Sequence, residues 1–338
     1  MKYLLFLLFY LLFTPISGQN FTAKVVDENN EPLVSATVYF DGTTRGVITN
    51  LEGVFNIENP NNLTELRLVI TYLGYESFFI DDVENLKEVY QLQPKAENLN
   101  TVNLYTSPFS REEMIEVFKR NFLGEGKPAR QCEILNLDDV VVYFKTENNT
   151  LYAEALNPVI VQNYYLGYKV NFDLKAFEVK FLTKNLDDSY QKQSFYAGFS
   201  YFEDTDRKKE RNRQKLYERS LDKFLKSLVN GNLDQTKFQV GYQGFLLKPE
   251  KIFEVKPIDN NLFKVSLKPD VIKTFNGKYV PSKIILKYKS EMSTIQFQKP
   301  QLRVDQFGNN IDIQNILLIG EISKNKIAKM LPTNFTTD

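Results

Sequence analysis

FTAKVVDENNEPLVSATVYFDGTTRGVITNLEGVFNIE, residues 21–58, decides the fold of the front of the chain. Phe21, Ala23 and Val25 alternate with Thr22, Lys24 and Val26, the period of a half-buried strand. Asp27-Glu28-Asn29-Asn30-Glu31-Pro32 follows, where Asn and Asp side chains bond their own backbone and tolerate left-handed conformations, so the chain turns. Val34 to Phe40 is rich in β-branched and aromatic residues and reads as a second strand. Asp41-Gly42-Thr43-Thr44 turns again, Gly46 to Thr49 is short and extended, and Asn50-Leu51-Glu52-Gly53 is a tight turn with Gly53 free to take positive φ. Val54-Phe55-Asn56-Ile57 is the next strand. Short strands with turn signals every 8–12 residues or so imply a β-sandwich.

The same stretch resembles the carboxypeptidase regulatory-like domain of bacterial envelope proteins. Asp27, Pro32, Leu33, Ala36, Gly42, Thr43, Gly46, Thr49, Gly53, Phe55 and Ile57 match the family's pattern in order. VITYLGYES (69–77) resembles its later strand. The resemblance implies a transthyretin-like, seven-stranded sandwich and an accessory role without catalysis.

Working outward, 338 residues suit two domains on a prior of about 150 residues each. Hydrophobic content of 43% with 25% charged residues is that of a globular protein rather than a disordered one. Lys+Arg and Asp+Glu balance at 42 each, unlike the basic domains that bind nucleic acid. There is no His, which removes Ser-His-Asp and Cys-His nucleophiles, His-ligated zinc and the usual general base near neutral pH. With Cys132 as the one cysteine, no disulfide can form within the chain.

Residues 1–18, MKYLLFLLFYLLFTPISG, read as a signal peptide: a Lys, an apolar run and a small-residue end. That run is shorter than the roughly 20 residues a membrane-spanning helix needs. Residues 19–95 form the sandwich, 96–130 a linker and helix, and 131–338 a β-rich C-terminal domain. Within 108–123, Ser110 and Glu113 form a capping box, Met114, Val117, Phe118 and Phe122 share one face, and Gly124 ends the helix. Residues 168–183 alternate as one long strand, or two with a bulge. Residues 205–229 read as a single long helix with the apolar stripe Tyr217, Leu221, Phe224, Leu225 and Leu228. Its basic cluster, Arg207, Lys208, Lys209, Arg211, Arg213, Lys215 and Arg219, faces away, either as a solvated face or as a patch for an anionic surface. Further strands run through 236–247, 251–258, 262–269, 282–289, 293–299 and 316–322, and 324–331 reads as a short helix stopped by Pro332.

The back half resembles the uncharacterised domain that follows a regulatory-like domain in exported Bacteroidetes proteins. The matching points are LGYKVNFDLKAFEV (166–179), RQKLYERSLDKFLKSLVNGNL (213–233), VDQFGNNIDIQNILLIGEIS (304–323) and IAKMLPTNF (327–335). Tyr217, Ser220, Phe224 and Leu228 fit that family's helix, whereas Arg219 and Lys223 stand where it carries Gly and His. No activity is implied.

No residue is singled out as catalytic, cofactor-binding or metal-binding. Asp81-Asp82, Asp138-Asp139 and Asp187-Asp188 are adjacent pairs, and neighbours on a strand point to opposite faces. Asp27, Glu28, Asn29 and Asn30 offer oxygens to calcium but fit no EF-hand spacing. Cys132 reads as a small buried hydrophobe. The expectation is therefore a mainly β chain: an N-terminal transthyretin-like β-sandwich plus a C-terminal β-rich α+β domain with one long helix. It is expected to be exported to the periplasm or outer membrane and to act without catalysis or cofactor. Outer-membrane proteins or glycans are the expected partners, with no nucleic acid and no transmembrane segment in the mature chain. The alternative is a carboxylate-based hydrolase acting on glycans.

Overall fold

A computed structural model describes residues 20–58, 67–81, 86–95, 107–259 and 261–335. The proposed signal peptide lies outside the described residues. The chain divides into two compact units, one of residues 1–41 with 45–97 and one of 42–44 with 98–338.

Among the described residues the first unit holds seven strands: β1 (Asn20–Val26), β2 (Thr37–Phe40), β3 (Gly46–Ile48), β4 (Val54–Glu58), β5 (Leu68–Thr71), β6 (Phe78–Ile80) and β7 (Val89–Gln91). They form two sheets, ordered β4-β1-β7 and β3-β2-β5-β6, with β7 parallel to β1. Phe21, Ala23, Val25, Val38, Phe40, Phe55, Leu68 and Ile70 share one core, so the period-2 reading of the opening stretch holds. The resemblance residues have local duties. Thr49 is buried; its hydroxyl donates to the Leu33 carbonyl and accepts from the Ala36 N–H, tying two turns together. Gly53 sits at φ +73°, and a Cβ there would lie 2.6 Å from the Val25 carbonyl oxygen, so glycine is required by both conformation and space.

The second unit begins with helices α1 (Arg111–Leu123) and α2 (Gly126–Arg130). Ser110 and Glu113 close the expected capping box on α1. Strands β8 (Cys132–Ile134), β9 (Val140–Lys145), β10 (Thr150–Ala155), β11 (Val159–Asn163), β12 (Tyr168–Phe181) and β13 (Gln191–Asp204) make a six-stranded sheet. The long β12 takes β11 and β10 on one side and β13 on the other, with a register shift between Leu174 and Ala176. Thus the alternation over 168–183 is one strand carrying a bulge. Phe118 and Phe122 of α1 stack at 5.0 Å and meet Phe177 and Phe172 of β12 at 4.9 and 5.3 Å. Each such buried ring contributes about 1.5–3 kcal/mol.

Residues 205–229 are not one helix. A 3₁₀ turn leads into α3 (Glu210–Tyr217), the helix breaks over 218–220, and α4 (Leu221–Val229) follows. Ser220 takes an extended conformation and caps α4, its hydroxyl accepting from the Lys223 N–H at 3.0 Å. The break has a packing cause. Leu216 of α3 belongs to the core beneath α1, whereas Phe224, Leu225, Leu228 and Val229 of α4 belong to a second core, so the two helices serve two interiors.

The strands that follow are β14 (Phe238–Tyr242), β15 (Phe245–Leu247), β16 (Phe253–Pro257), β17 (Leu262–Leu267), β18 (Lys273–Phe275), β19 (Lys278–Val280), β20 (Ser282–Tyr288), β21 (Glu291–Phe297), β22 (Gln301–Asp305) and β23 (Ile316–Gly320), and the second core lies among all of these but the largely exposed β18 and β19. The sheet orders are β15-β14-β20-β21-β23, β16-β17-β22 and β18-β19. The single strand expected over 236–247 is a hairpin instead, because Gln243 and Gly244 both take positive φ and turn the chain in two residues. The expected helix at 324–331 is two 3₁₀ turns, Glu321–Lys324 and Ile327–Lys329. Lys326 between them is extended, and the Ala328 carbonyl is taken by the Asn163 side-chain amide at 3.1 Å rather than by a helical N–H.

Candidate functional site

The largest hollow described is an open cleft of about 640 Å³ in the second unit. Leu228 and Val229 at the end of α4, Leu233, and Phe253, Val255 and Phe263 of β16 and β17 give it apolar walls. Asp234, Lys248, Glu250, Glu254 and Lys268 bring charge of both signs. A second hollow of about 340 Å³, with Phe238, Val240, Leu246 and Leu247 in its walls, shares Leu233, Asp234, Lys248 and Pro249 with the first. Two hollows with a common wall make an elongated groove.

The chain builds this groove between two sheet ends. β15 ends the five-stranded sheet and β16 ends the three-stranded one, so each presents an edge without a strand partner among the described residues. Such an edge is a row of N–H and C=O groups ready to pair. Pro257 closes β16, and a residue lacking an N–H is tolerated there because the edge is open. Phe245 and Leu246 of β15 are exposed despite being apolar. Glu254 pairs with Lys256 at 3.2 Å. Asn232, between two groove residues, keeps a buried Oδ1 with no hydrogen-bond partner among the described residues.

Several of the residues weighed from sequence have local hydrogen-bond or ion-pair partners. Asp27 Oδ1 accepts from the Asn29 and Glu31 N–H groups at 2.8 Å each, which fixes the turn after β1. Asp139 accepts from the Asn136 and Asn157 amides at 2.9 and 3.1 Å, and Asp188 faces Arg120 at 3.7 Å. Arg67 pairs with Asp81; Asp82 lies outside the described residues. Cys132 Sγ donates to the Pro128 carbonyl at 3.4 Å, and burial pushes its thiol up to about 12, so it stays protonated at neutral pH. Among the described residues no group of three or more His, Cys, Asp or Glu is placed to hold a metal ion.

The basic cluster does not all face away. The Arg213 side chain is only 4% exposed and pairs with both oxygens of Asp204 at 2.9 and 3.1 Å. It also donates to the carbonyls of Leu166, Gly167 and Asp206 and lies 3.8 Å from the Tyr168 ring centroid. Hydrogen bonds from Arg213 hold the Asp204 carboxyl below the usual carboxylate range. This arginine is a fully engaged structural residue, and nothing in the spacing of a helix read as continuous could have shown its inward turn. Arg207 and Lys209 pair locally with Asp204 and Asp206 at 3.8 and 3.9 Å.

Compared with known proteins, residues 21–104 match the CarboxypepD_reg-like domain family, a regulatory, non-catalytic domain. The seven-stranded first unit is the fold that resemblance implied. The match ends at residue 104, so the groove residues, which lie between Leu228 and Lys268, fall outside it. No curated protein and no solved structure matches the chain. No helix among the described residues is long and apolar enough to cross a membrane.

Sequence reasoning missed the groove. Its walls come from 228–268, and its existence depends on where two sheets end, which is a property of strand order rather than of any local pattern.

Proposed function

We propose that the chain is a non-catalytic exported envelope protein with a binding role at the outer membrane, and that its second unit takes an extended segment of a partner protein in the groove between β15 and β16. The observation that carries this reading is the pairing of apolar walls with two open strand edges. An extended segment gains main-chain hydrogen bonds from an edge and side-chain specificity from the hollows beside it. Residues 1–18 support the export step, and the regulatory-like family of residues 21–104 supports an accessory role.

Selection of random peptides on the mature chain tests the binding step. The reading expects enriched sequences of alternating apolar residues whose affinity falls at least tenfold in Phe263→Glu. Enrichment of nothing, or of peptides indifferent to Phe263→Glu and Leu246→Glu, sinks it. A second reading, hydrolysis of a glycan, is favoured by Asp234, Glu250 and Glu254 sharing one cleft with Phe253 and Phe263. It expects turnover in a glycan screen that Asp234→Asn or Glu250→Gln abolishes.

A further inference from the structure

We propose that a smaller hollow, where the end of α3 meets the turn between β20 and β21, binds a phosphate- or sulfate-type oxyanion carried by a ligand. It measures about 130 Å³ and is lined by Lys215, Arg219, Tyr288, Lys289, Ser290 and Glu291. That is roughly four waters' share of liquid volume, the scale of one tetrahedral oxyanion with its nearest waters.

Three cations and one carboxylate line the hollow, an excess of two positive charges. Arg219 owes its place to the break after α3, and it is held against the hairpin by Glu291 at 3.1 Å. Among the described residues Lys215 and Lys289 form no ion pair, so their charge is available to an incoming anion. Lys329 is a further cation close enough to Arg219 to feel it; burial first, and then Arg219, push its ammonium down. Two further acids lie nearby: Glu321 is engaged by Lys324, and Glu218, close enough to Tyr288 to act on it, faces Lys223 at 3.6 Å. Tyr288 stays protonated at neutral pH, since burial raises its hydroxyl, and can donate to an oxyanion along with Ser290. Lys289 itself sits at φ +54°, a left-handed position that usually falls to Gly or Asn.

The pattern fits a single anionic group rather than a polyanion. Of the other cations of the 207–219 stretch, Arg213 is buried against Asp204, Arg207 and Lys209 face acids of their own, and the exposed Lys208 and Arg211 are not part of the hollow's lining. A planar guanidinium fixed by one carboxylate, flanked by two hydroxyls and by two ammoniums outside any ion pair, that of Lys289 5.7 Å from the Tyr288 ring centroid, is instead a donor set for one oxyanion. The site does not rest on the groove, and it is measured without any protein partner.

Calorimetric titration of the mature chain with inorganic phosphate tests it, beside flotation with vesicles of phosphatidylglycerol in phosphatidylcholine. Saturable phosphate binding, weakened by added salt and at least tenfold weaker in Lys215→Gln/Lys289→Gln at an unchanged melting temperature, is the expected result. Glu291→Gln, which removes the lining's carboxylate charge and keeps a side-chain oxygen for Arg219, is expected to tighten phosphate binding severalfold. Binding to the anionic vesicles alone, lost in the same double variant, supports the same chemistry and assigns the phosphate to a lipid headgroup. Wild-type protein that binds neither probe, or a double variant that binds as tightly as wild type, overturns the proposal.

Discussion

Replacing Asp222 by Asn makes the second unit more stable at neutral pH and leaves it unchanged near pH 4. Asp222 lies in the first turn of α4, against the loop that follows β22. Loss of solvent is the larger cause and the neighbouring Asp305 the smaller in raising its carboxyl from 3.8 to about 6. The other charged or titratable groups around this cluster are Tyr217 and Glu218 before the helix, and Lys223 and Lys226 on it. With the folded value above the unfolded one, the folded protein holds the extra proton, so stability present below about pH 4 is lost as pH rises through about 6. Two units at about 1.4 kcal/mol each set a ceiling of about 3 kcal/mol for the cost of the charge at pH 7. Solvent screening of a carboxyl that is only partly buried brings the expected gain to about 1–3 kcal/mol. Denaturant unfolding of both proteins at pH 4 and pH 7, followed through the transition of the second unit, reads the difference directly. An equal gain at the two pH values, or an Asp222 carboxyl that titrates below about 4.5 by NMR, refutes the reasoning.

Three other substitutions probe the frame. Arg213→Ala strands Asp204 and empties a buried hydrogen-bonded position, and should cost about 3–5 kcal/mol in a thermal or denaturant melt. Gly308→Ala should be worse than an ordinary loop change. Its Cβ would lie 2.0 Å from the Asp222 carbonyl oxygen, so the 305–309 loop must move, with a melting temperature several degrees lower as the readout. Thr49→Val removes the hydroxyl that joins Leu33 to Ala36 and should destabilise the first unit by about 1–3 kcal/mol, measured on the regulatory-like unit's own transition.

Local chemistry was legible in the sequence wherever a residue acts on its own neighbours. The turn at Asp27, the Gly53 position, the Ser110–Glu113 box and the bulged strand over 168–183 all follow from propensity and period. What could not be read were consequences of distant packing. The stripe over 217–228 has helical spacing throughout, yet Leu216 just before it and Phe224 within it serve different cores, and the chain breaks between them. Arg213 looked like one more solvated cation, because its carbonyl partners at 166 and 167 are far away in sequence. Glu291 and Lys289, which gather around Arg219, come from a hairpin some seventy positions later. Lys326 is extended for a similar reason, with the flanking Ile327 buried in the first core of the second unit.

The central claim is that the groove between β15 and β16 is where a partner docks. A photo-crosslinking residue placed at Val255 or Leu246, and at the exposed Ile313 as a control, tests it in cells that make the protein. The account predicts a discrete adduct with one protein from the two groove positions, competed by the peptides selected on the mature chain and absent at 313. Adducts that are equal at all three positions, or none from the groove, contradict it.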